Sequence, residues 1–506
     1  MCSVRFHSFI VKRKRAALVK IQAMRAISRI SWPLPSPRLA IYCALLSLLW
    51  IAAAFLREFI VLALMGNLLL FFVAAMDLLL SPSTSDFEIS RILDDKLNLG
   101  TPNTIALEVH NHTNLKMSLT VRDEPPAEWP VAVKGTTPLP SVAMTVARGE
   151  IEVSPHGHAR FEYSTTPTRR GVWIWGAASL RFQTRLGFWF RQKRFAPDKY
   201  EQMLVRVYPD VSEVKRYELL LRMGRLRDIG LHLQRLRGQG SEFESLREYA
   251  RGDDYRDINW KASARRGKLI ATDYEIERDQ SIIIAIDCGR MMTSMAHQRE
   301  RVLAASGEHP SSIARTQTPL SKLDWAINAA VLLSHVSAST GDAVGVLLFA
   351  DGVLKFLPPR KGRVQTGQII EMLYSVQPRL VEPDYNNAYQ FLMSKKLRRA
   401  LVVTFTDLID AEASRELIQA SGTLRRHHNA LCVTINNRDV TEMAQHLPQT
   451  SDEIYSKAMA QRMLTQRAGA LENLRQRGVG VLDVEAEQLS VATVNKYLEM
   501  KARGAL

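Results

Sequence analysis

Two uninterrupted apolar runs near the start of the chain, Leu39 to Leu56 (LAIYCALLSLLWIAAAFL) and Phe59 to Leu80 (FIVLALMGNLLLFFVAAMDLLL), constrain it more than any other feature. As helices rising about 1.5 Å per residue they measure about 27 and 33 Å, which matches a hydrocarbon layer about 30 Å thick. Only Arg57 and Glu58 separate them, and such a short charged break predicts the tight turn of a helical hairpin with both ends on one side. Residues 1–38 hold Arg5, Lys12, Arg13, Lys14, Arg15, Lys20, Arg25, Arg29 and Arg38 and no acid. The positive-inside rule therefore puts that tail in the cytoplasm, and two crossings return the rest of the chain there. A cleaved signal peptide is disfavoured, because the apolar length exceeds a signal core and a long basic tail precedes it. Within the runs, Asn67 is expected to bond a neighbouring helix and Asp77 to reach the interface; neither has a partner acid or histidine in the spans that would suggest a proton relay.

A length of 506 residues with 46% hydrophobic content predicts three or four folded units with real cores. Cys2, Cys43, Cys288 and Cys432 show no paired spacing, which fits a reducing compartment and neither a zinc site nor a disulfide framework. The net charge of +16 is concentrated in the N-terminal tail. Such a tail would suit nucleic acid, but the apolar runs that follow assign it to a membrane surface, and no nucleic-acid partner is expected.

Residues 86–211 carry short runs rich in Val, Thr, Phe, Tyr and Trp, broken by turn residues, and their period-two alternation predicts an antiparallel β-sandwich. The rings Trp173, Trp175, Phe188, Trp189 and Phe190 read as sandwich core and membrane-proximal interface in preference to a stacking platform. His110, His112, His156 and His158 lack the acidic or thiol company of a metal site. Ser212 to Gly240 predicts a basic amphipathic helical connector suited to a membrane surface or an acidic partner. Beyond residue 280, the runs SIIIAID, DAVGVLLFA, RALVVTFTD, NALCVTINN and VGVLDVE alternate with helical stretches at Leu323–Ser339, Gln365–Val376, Tyr385–Leu397, Glu412–Arg426 and Ile454–Arg477. Continuous apolar strands between helices predict a doubly wound α/β domain with a parallel sheet covered on both faces. The expected organisation is a basic tail (1–38), two transmembrane helices (39–80), a β-sandwich (86–211), a connector with a charged segment (212–279), an α/β domain (280–490) and a C-terminal tail (491–506).

The charged segment from Gly240 to Asp279 interleaves opposite charges with Phe243, Leu246, Tyr249, Tyr255 and Trp260, the pattern of an arm that docks on a surface through ring anchors. Gly240, Glu242-Phe243, Leu246-Arg247-x-Tyr249, Gly252-Asp253, Arg256-x-Ile258-x-Trp260 and Ala264-Arg265 together resemble the signature of the bacterial "domain of unknown function 58" family. The segment is expected to clamp the sandwich to the α/β domain, with Arg247, Asp253, Arg256 and Trp260 as fixing residues.

Two carboxylates close predicted strands, Asp287 after SIIIAI and Asp407 after VVTFT, where ligands sit in such sheets. Here the chain resembles a von Willebrand factor A domain, whose first strand ends in Asp-x-Ser-x-Ser and whose fourth ends in an Asp, together holding Mg²⁺. The match is incomplete: Gly289 and Met291 stand where the two hydroxyls belong, and neither side chain offers the oxygen that a hard cation needs. Mg²⁺ at Asp287 and Asp407, helped by Thr406 or Asp384, is therefore disfavoured, no cofactor is expected, and Arg290 is expected to neutralise Asp287 or Asp407. Thr293 to Lys322 is a polar insertion expected to form a mobile loop over this edge.

There is no Gly-rich phosphate loop, Gly-x-Ser-x-Gly elbow or HExxH helix, and Cys288 has no nearby histidine in sequence, so no enzymatic activity is expected. The resemblance implies a membrane-anchored interaction or scaffold protein of the bacterial inner membrane, its bulk facing the cytoplasm. It also implies association with a MoxR-type AAA+ ATPase and other membrane proteins in the assembly or activation of membrane or secreted complexes. The alternative is a metal-dependent binding protein or hydrolase using Asp287 and Asp407.

Overall fold

The apolar runs form helices where the sequence puts them. In the computed structural model, residues 33–56, 59–94, 96–133, 145–195, 204–210, 212–222, 242–250, 255–275, 280–296, 320–408 and 413–503 are described. Helix α1 (Pro37–Phe55) starts at an N-cap, Ser36, with Pro at its first position, and helix α2 spans Phe59–Leu80. Both are long and apolar enough to cross a membrane, and few of their residues are buried within the protein. The charged break at Arg57 and Glu58 lies outside the described residues.

The chain divides into two units, Met1–Thr168 with Val172–Val207, and Arg169–Gly171 with Tyr208–Leu506. In the first, the strands are β1 (Leu34–Pro35), β2 (Phe87–Ile92), β3 (Lys96–Asn98), β4 (Asn103–Asn111), β5 (Met117–Asp123), β6 (Val131–Val133), β7 (Ala147–Val153), β8 (His158–Thr165), β9 (Gly171–Ile174), β10 (Ala178–Gln183), β11 (Trp189–Phe195) and β12 (Leu204–Tyr208). They form sheets of order β1-β11-β10-β5-β7, β2-β4-β8-β6 and β3-β12-β9. The registered pairs of the first two sheets are antiparallel. Contacts cross between these two sheets: Phe87 meets Phe182 at 5.0 Å between ring centroids, and the fully buried Asp123 accepts from Arg91 and from the Tyr163 hydroxyl. Trp129 lies edge-on to both Trp173 and Trp175, so these rings are packing, as expected.

Asn67 departs from expectation, and Asp77 finds its donors within the chain. Asp77 is 1% exposed and accepts from Thr184 Oγ1 (2.5 Å), Leu186 N (2.8 Å) and Phe188 N (3.2 Å), so it fastens the end of α2 to the β10–β11 turn. Asn67 donates to the Ala63 carbonyl one turn earlier in its own helix rather than to a neighbour. A carboxylate one turn inside an apolar helix needs donors, and the turn supplies them.

The second unit holds α3 (Ser212–Arg222), β13 (Glu242–Glu248), α4 (Trp260–Arg266), β14 (Ile270–Glu275), β15 (Ser281–Asp287), β16 (Met295–Ala296), β17 (Leu320–Ser321), α5 (Lys322–Ser339), β18 (Ala343–Phe349) and β19 (Val353–Arg360). It continues with α6 (Arg363–Leu373), α7 (Tyr385–Ser394), β20 (Leu401–Thr406), α8 (Ala413–Leu424), β21 (Asn429–Asn436), α9 (Arg438–Gln445), α10 (Ser451–Gln476), β22 (Gly480–Glu485) and α11 (Leu489–Ala502). Six strands make one sheet in the order β19-β18-β15-β20-β21-β22, parallel except for the β18–β19 pair. Helices α7, α8 and α10 share a core with one face through Ile283, Phe349, Val402 and Cys432. Helices α6 and α11 both pack on α5, and α5 lies against β15 and β18. Central strands buried on both faces explain the unbroken apolar runs.

Among the elements the sequence reading did not predict, β19 and α11 escaped it for identifiable reasons. β19 contains Pro358 and Pro359, which a central strand excludes but an edge strand tolerates. Gly345 permits its close approach, since a Cβ there would lie 2.8 Å from both the Leu357 carbonyl oxygen and the Pro359 nitrogen. The expected C-terminal tail (491–506) is instead mostly helix α11. Its Tyr497 and Lys501 are buried, and Lys501 Nζ lies 2.7 Å from the fully buried Asp342. Tyr497 donates to the same carboxylate and shares a hydrogen bond with Thr340 at the end of α5. Of the expected connector, residues 212–222 form α3, and 223–240 lie outside the described residues.

Candidate functional site at the carboxyl edge of the parallel sheet

Parallel pairing of β15 with β20 brings Asp287 and Thr406 to the same sheet edge, with Asp407 one residue beyond. Asp287 is fully buried. Its Oδ1 accepts from Gly289 N at 2.7 Å, and its Oδ2 from Thr406 Oγ1 at 2.7 Å and the Tyr385 hydroxyl at 3.2 Å. Burial pushes this carboxyl up to about 6, against the hydrogen bonds from Gly289, Thr406 and Tyr385, and the charge of Asp407 adds to the rise.

Asp407 is satisfied differently. Lys322 Nζ sits 2.6 Å from Oδ2, with the two side chains 3% and 1% exposed. Arg467 Nη1 lies 2.8 Å from Oδ1, and the Leu408 amide also donates to that oxygen. Arg467 extends the network through Nη2 to Asp483 at 2.8 Å and to the Ile435 carbonyl at 3.0 Å. Burial works against the charge on Arg467, but Asp407 and Asp483 together hold its pKa above the ordinary guanidinium value.

Local sequence explains how Lys322 arrives there. Ser321-Lys322-Leu323-Asp324 is a capping box: the Ser321 hydroxyl accepts from Asp324 N, and Asp324 accepts from Ser321 N. Lys322 is thus the first residue of α5, aimed at the sheet edge. Asp324 also takes Arg170 Nε at 2.5 Å, while Arg170 Nη1 donates to the Leu373 carbonyl. Strands β16 and β17 pair antiparallel at the two ends of the polar insertion, of which residues 297–319 lie outside the described residues.

The oxygen set does not fit a hard divalent cation. The four carboxylate oxygens of Asp287 and Asp407 are engaged by hydroxyls, amides, an ammonium and a guanidinium, while Gly289 and Met291 bring no side-chain oxygen. A Cβ at Gly289 would lie 2.9 Å from Asp287 Oδ1, 3.0 Å from the Val381 carbonyl oxygen and 3.1 Å from Pro383 Cδ, so a serine has no room there without a shift of that loop. Among the described residues no group of three His, Cys, Asp or Glu side chains gathers as a metal would require. Asp384 caps α7 through Asn387 N. Arg290, expected to neutralise Asp287 or Asp407, pairs with Glu382 at 2.7 Å on the surface, because its backbone N is tied to the Val381 carbonyl, next to Glu382 in the chain. The neutralising charges come from Lys322 and Arg467 instead.

The charged segment is a β-hairpin, β13 with β14, enclosing the short helix α4. Trp260 is 67% exposed and Tyr255 66%, so neither is an inserted ring anchor; the buried side of the motif is Ser263, Ile270, Ala271 and Thr272. Asn259 caps α4, which starts the helix at Trp260 with its ring toward solvent. Arg247 donates to the Glu248 carbonyl, Arg256 lies against the ring of Tyr255, and Tyr249 N donates to the Leu269 carbonyl. Glu242 and Phe243 pair with Glu275 and Tyr274 in the hairpin, while Gly252 and Asp253 lie outside the described residues. Cys288 is buried, and burial first, then Asp287, pushes its thiol up to about 12.

Sequence reasoning missed Lys322, Arg467, Tyr385 and Arg170. The capping box before an apolar helix was a usable signal for Lys322. Nothing local marks Arg467 in the middle of a long polar helix.

Parts of this chain are similar to known proteins. An uncharacterized protein of Mycobacterium bovis is 21% identical over 296 residues, covering 55% of this chain and 84% of its own length. An uncharacterized protein of Mycobacterium tuberculosis matches to the same extent. Among solved structures, the conserved hypothetical protein BatB from Bacteroides thetaiotaomicron aligns with 44% of this chain and 98% of its own, at 14% identity and a TM-score of 0.28. The CARDB domain of the PF1109 protein from Pyrococcus furiosus aligns with 24% of this chain and 87% of its own, at 13% identity and a TM-score of 0.14. Residues 245–453, from the hairpin through Asp287, Lys322 and Asp407, match the family described as "Protein of unknown function DUF58".

Proposed function

We propose that this chain is a membrane-anchored interaction protein of the bacterial inner membrane, whose α/β domain, resembling a von Willebrand factor A domain, faces the cytoplasm and recognises partners without a divalent cation. In this reading it is not an enzyme; it works as a scaffold with a MoxR-type AAA+ ATPase in the assembly or activation of membrane or secreted complexes. The observation that carries the reading is the charge balance at the sheet edge, where Lys322 and Arg467 meet Asp407 from within the chain.

The surface of that edge supports contact rather than chemistry. Leu380 is 84% exposed, on the loop whose Val381 carbonyl accepts from Arg290 N and whose Arg379 N donates to the Cys288 carbonyl. The ion pairs Arg290–Glu382 and Arg379–Asp351 flank it. An apolar knob with a charged rim is the layout of a small recognition surface.

The test is capture from bacterial membranes by the detergent-solubilised full chain, with and without ATP. An AAA+ ATPase recovered by the wild type and lost with Leu380→Asp is the expected result. Repeated failure to recover any ATPase would remove the partner assignment. Tight Mg²⁺ or Mn²⁺ binding by the isolated protein in calorimetry, abolished in Asp407→Ala, would remove the cation-independent reading.

A further inference from the structure

We propose that the β10–β11 turn, together with the start of α1, forms a binding site for the headgroup of an anionic phospholipid, with Arg38 and Arg185 as its cations. The inference rests on the membrane reading of α1 and α2 and adds a lipid preference to it. The turn meets both helix ends at once. Ser36 N donates to the Phe188 carbonyl at 2.8 Å and Ser36 Oγ to the Gly187 carbonyl at 2.5 Å, while Arg185 N donates to Ser81 Oγ at 2.9 Å. Leu186 N reaches Asp77, which lies inside the last turn of α2, so the tip of the turn sits at the depth of the helix end and not below it.

The side chains there match an interface. Leu186 on the turn is 51% exposed, and Leu79 and Leu80 at the end of α2 are 84% and 61% exposed, so both the turn and the helix end present apolar side chains in the open. Tyr42 packs edge-on to Phe188, and Trp189 Nε1 donates to the Ala74 carbonyl, which places an aromatic girdle at the same level. Arg191 is consumed by the Leu78 and Pro82 carbonyls at the end of α2. Arg38 and Arg185 are not: both are exposed, and among the described residues neither guanidinium has a hydrogen-bond or acidic partner. Arg38 lies over the turn, so close that a Cβ on Gly187, where φ is +80°, would sit 2.8 Å from Nη1. Two exposed, unpaired arginines on one turn and the helix start it meets, next to exposed leucines, suit a phosphate at the headgroup level and an acyl chain beneath it.

The experiment titrates the full chain in neutral detergent with phosphatidylglycerol or phosphatidylcholine and follows retained lipid by native mass spectrometry. One basic residue near an anionic surface is worth about a fivefold change in affinity, so Arg38→Gln with Arg185→Gln should weaken phosphatidylglycerol retention about thirtyfold. The same pair should leave phosphatidylcholine unchanged, and an unchanged melting temperature should show an unaltered fold. Substituting Lys12, Arg13, Lys14 and Arg15 by Gln in the tail should leave phosphatidylglycerol retention in place. Unchanged retention in the Arg38/Arg185 variant, loss carried wholly by the tail variant, or displacement by inorganic phosphate at equal concentration would each overturn the proposal. A chain that stays soluble and monodisperse without detergent would overturn the membrane reading first, and is seen before any lipid is added.

Discussion

Lys322→Met tests the internal cation most directly, because Met keeps the length and apolar stem of Lys and removes only the ammonium. Lys322 and Asp407 are 3% and 1% exposed and 2.6 Å apart, so the variant leaves a buried carboxylate with one of its two cations gone. Losing one partner of a buried pair costs about 3–5 kcal/mol. Arg467 stays 2.8 Å from the other oxygen, which sets the expectation at the lower end, about 3 kcal/mol. In a domain of this size about 1 kcal/mol moves the melting temperature by about 2–4 °C, so Tm should fall by about 6–12 °C in differential scanning fluorimetry of the purified full chain. Asp407→Asn alone strands the ammonium and is also destabilising; adding it to Lys322→Met should recover part of the loss, with a coupling of about 1–3 kcal/mol. Millimolar Mg²⁺ should leave the wild-type Tm where it is, since a ligand at a hundred times its Kd would add about 2.7 kcal/mol. A variant melting within about 2 °C of wild type, which by the same scaling is less than about 1 kcal/mol, or a cycle with no coupling, would refute the reasoning.

Three further outcomes follow from the same geometry. Asp287 binds its proton more tightly folded than unfolded, so its contribution is fully present below an unfolded value of about 3.9 and is lost as pH rises through about 6. Asp287→Asn should therefore flatten the pH dependence of stability between those values, by about 2–3 kcal/mol in urea denaturation; a slope identical to wild type would show that Asp287 does not titrate there. Lys501→Met leaves Asp342 fully buried with only hydrogen-bonding partners, and should cost about 3–5 kcal/mol, seen as a lowered urea midpoint; a neutral result would show that the Lys501–Asp342 pair does not stabilise the fold. Asp77→Ala strips the acceptor from Thr184, Leu186 and Phe188, each worth about 1–3 kcal/mol when left unsatisfied, and trypsin should then cut faster after Arg185.

Much of this protein was legible in its residues because the relevant signals are local. Continuous apolar strands such as Ser281–Asp287 and Leu401–Thr406 announce a sheet buried on both faces, and the apolar helices announce themselves by length. The acids at the sheet edge were legible for the same reason, since Asp287 and Asp407 terminate those strands. The edge strand β19 was hidden by its prolines, and α11 by a polar sequence whose buried residues, Tyr497 and Lys501, look like surface residues until Asp342 is placed beside them.

What sequence alone determined is the apolar helices, most strands and helices of the α/β domain, the two acids at the strand ends and the absence of side-chain oxygen at Gly289 and Met291. Which charges answer those acids was decided only by tertiary structure. Arg290 is three residues from Asp287 yet faces solvent and Glu382, whereas Lys322 and Arg467, 85 and 60 residues from Asp407, close on it. The same holds for Trp260, which the spacing marks as an anchor and the fold leaves 67% exposed. The physical reason is common to all of these. Chain periodicity fixes which face a residue can take within its own element, but a buried charge must be met by whichever group the packing of other elements delivers, and sequence distance carries no information about that delivery.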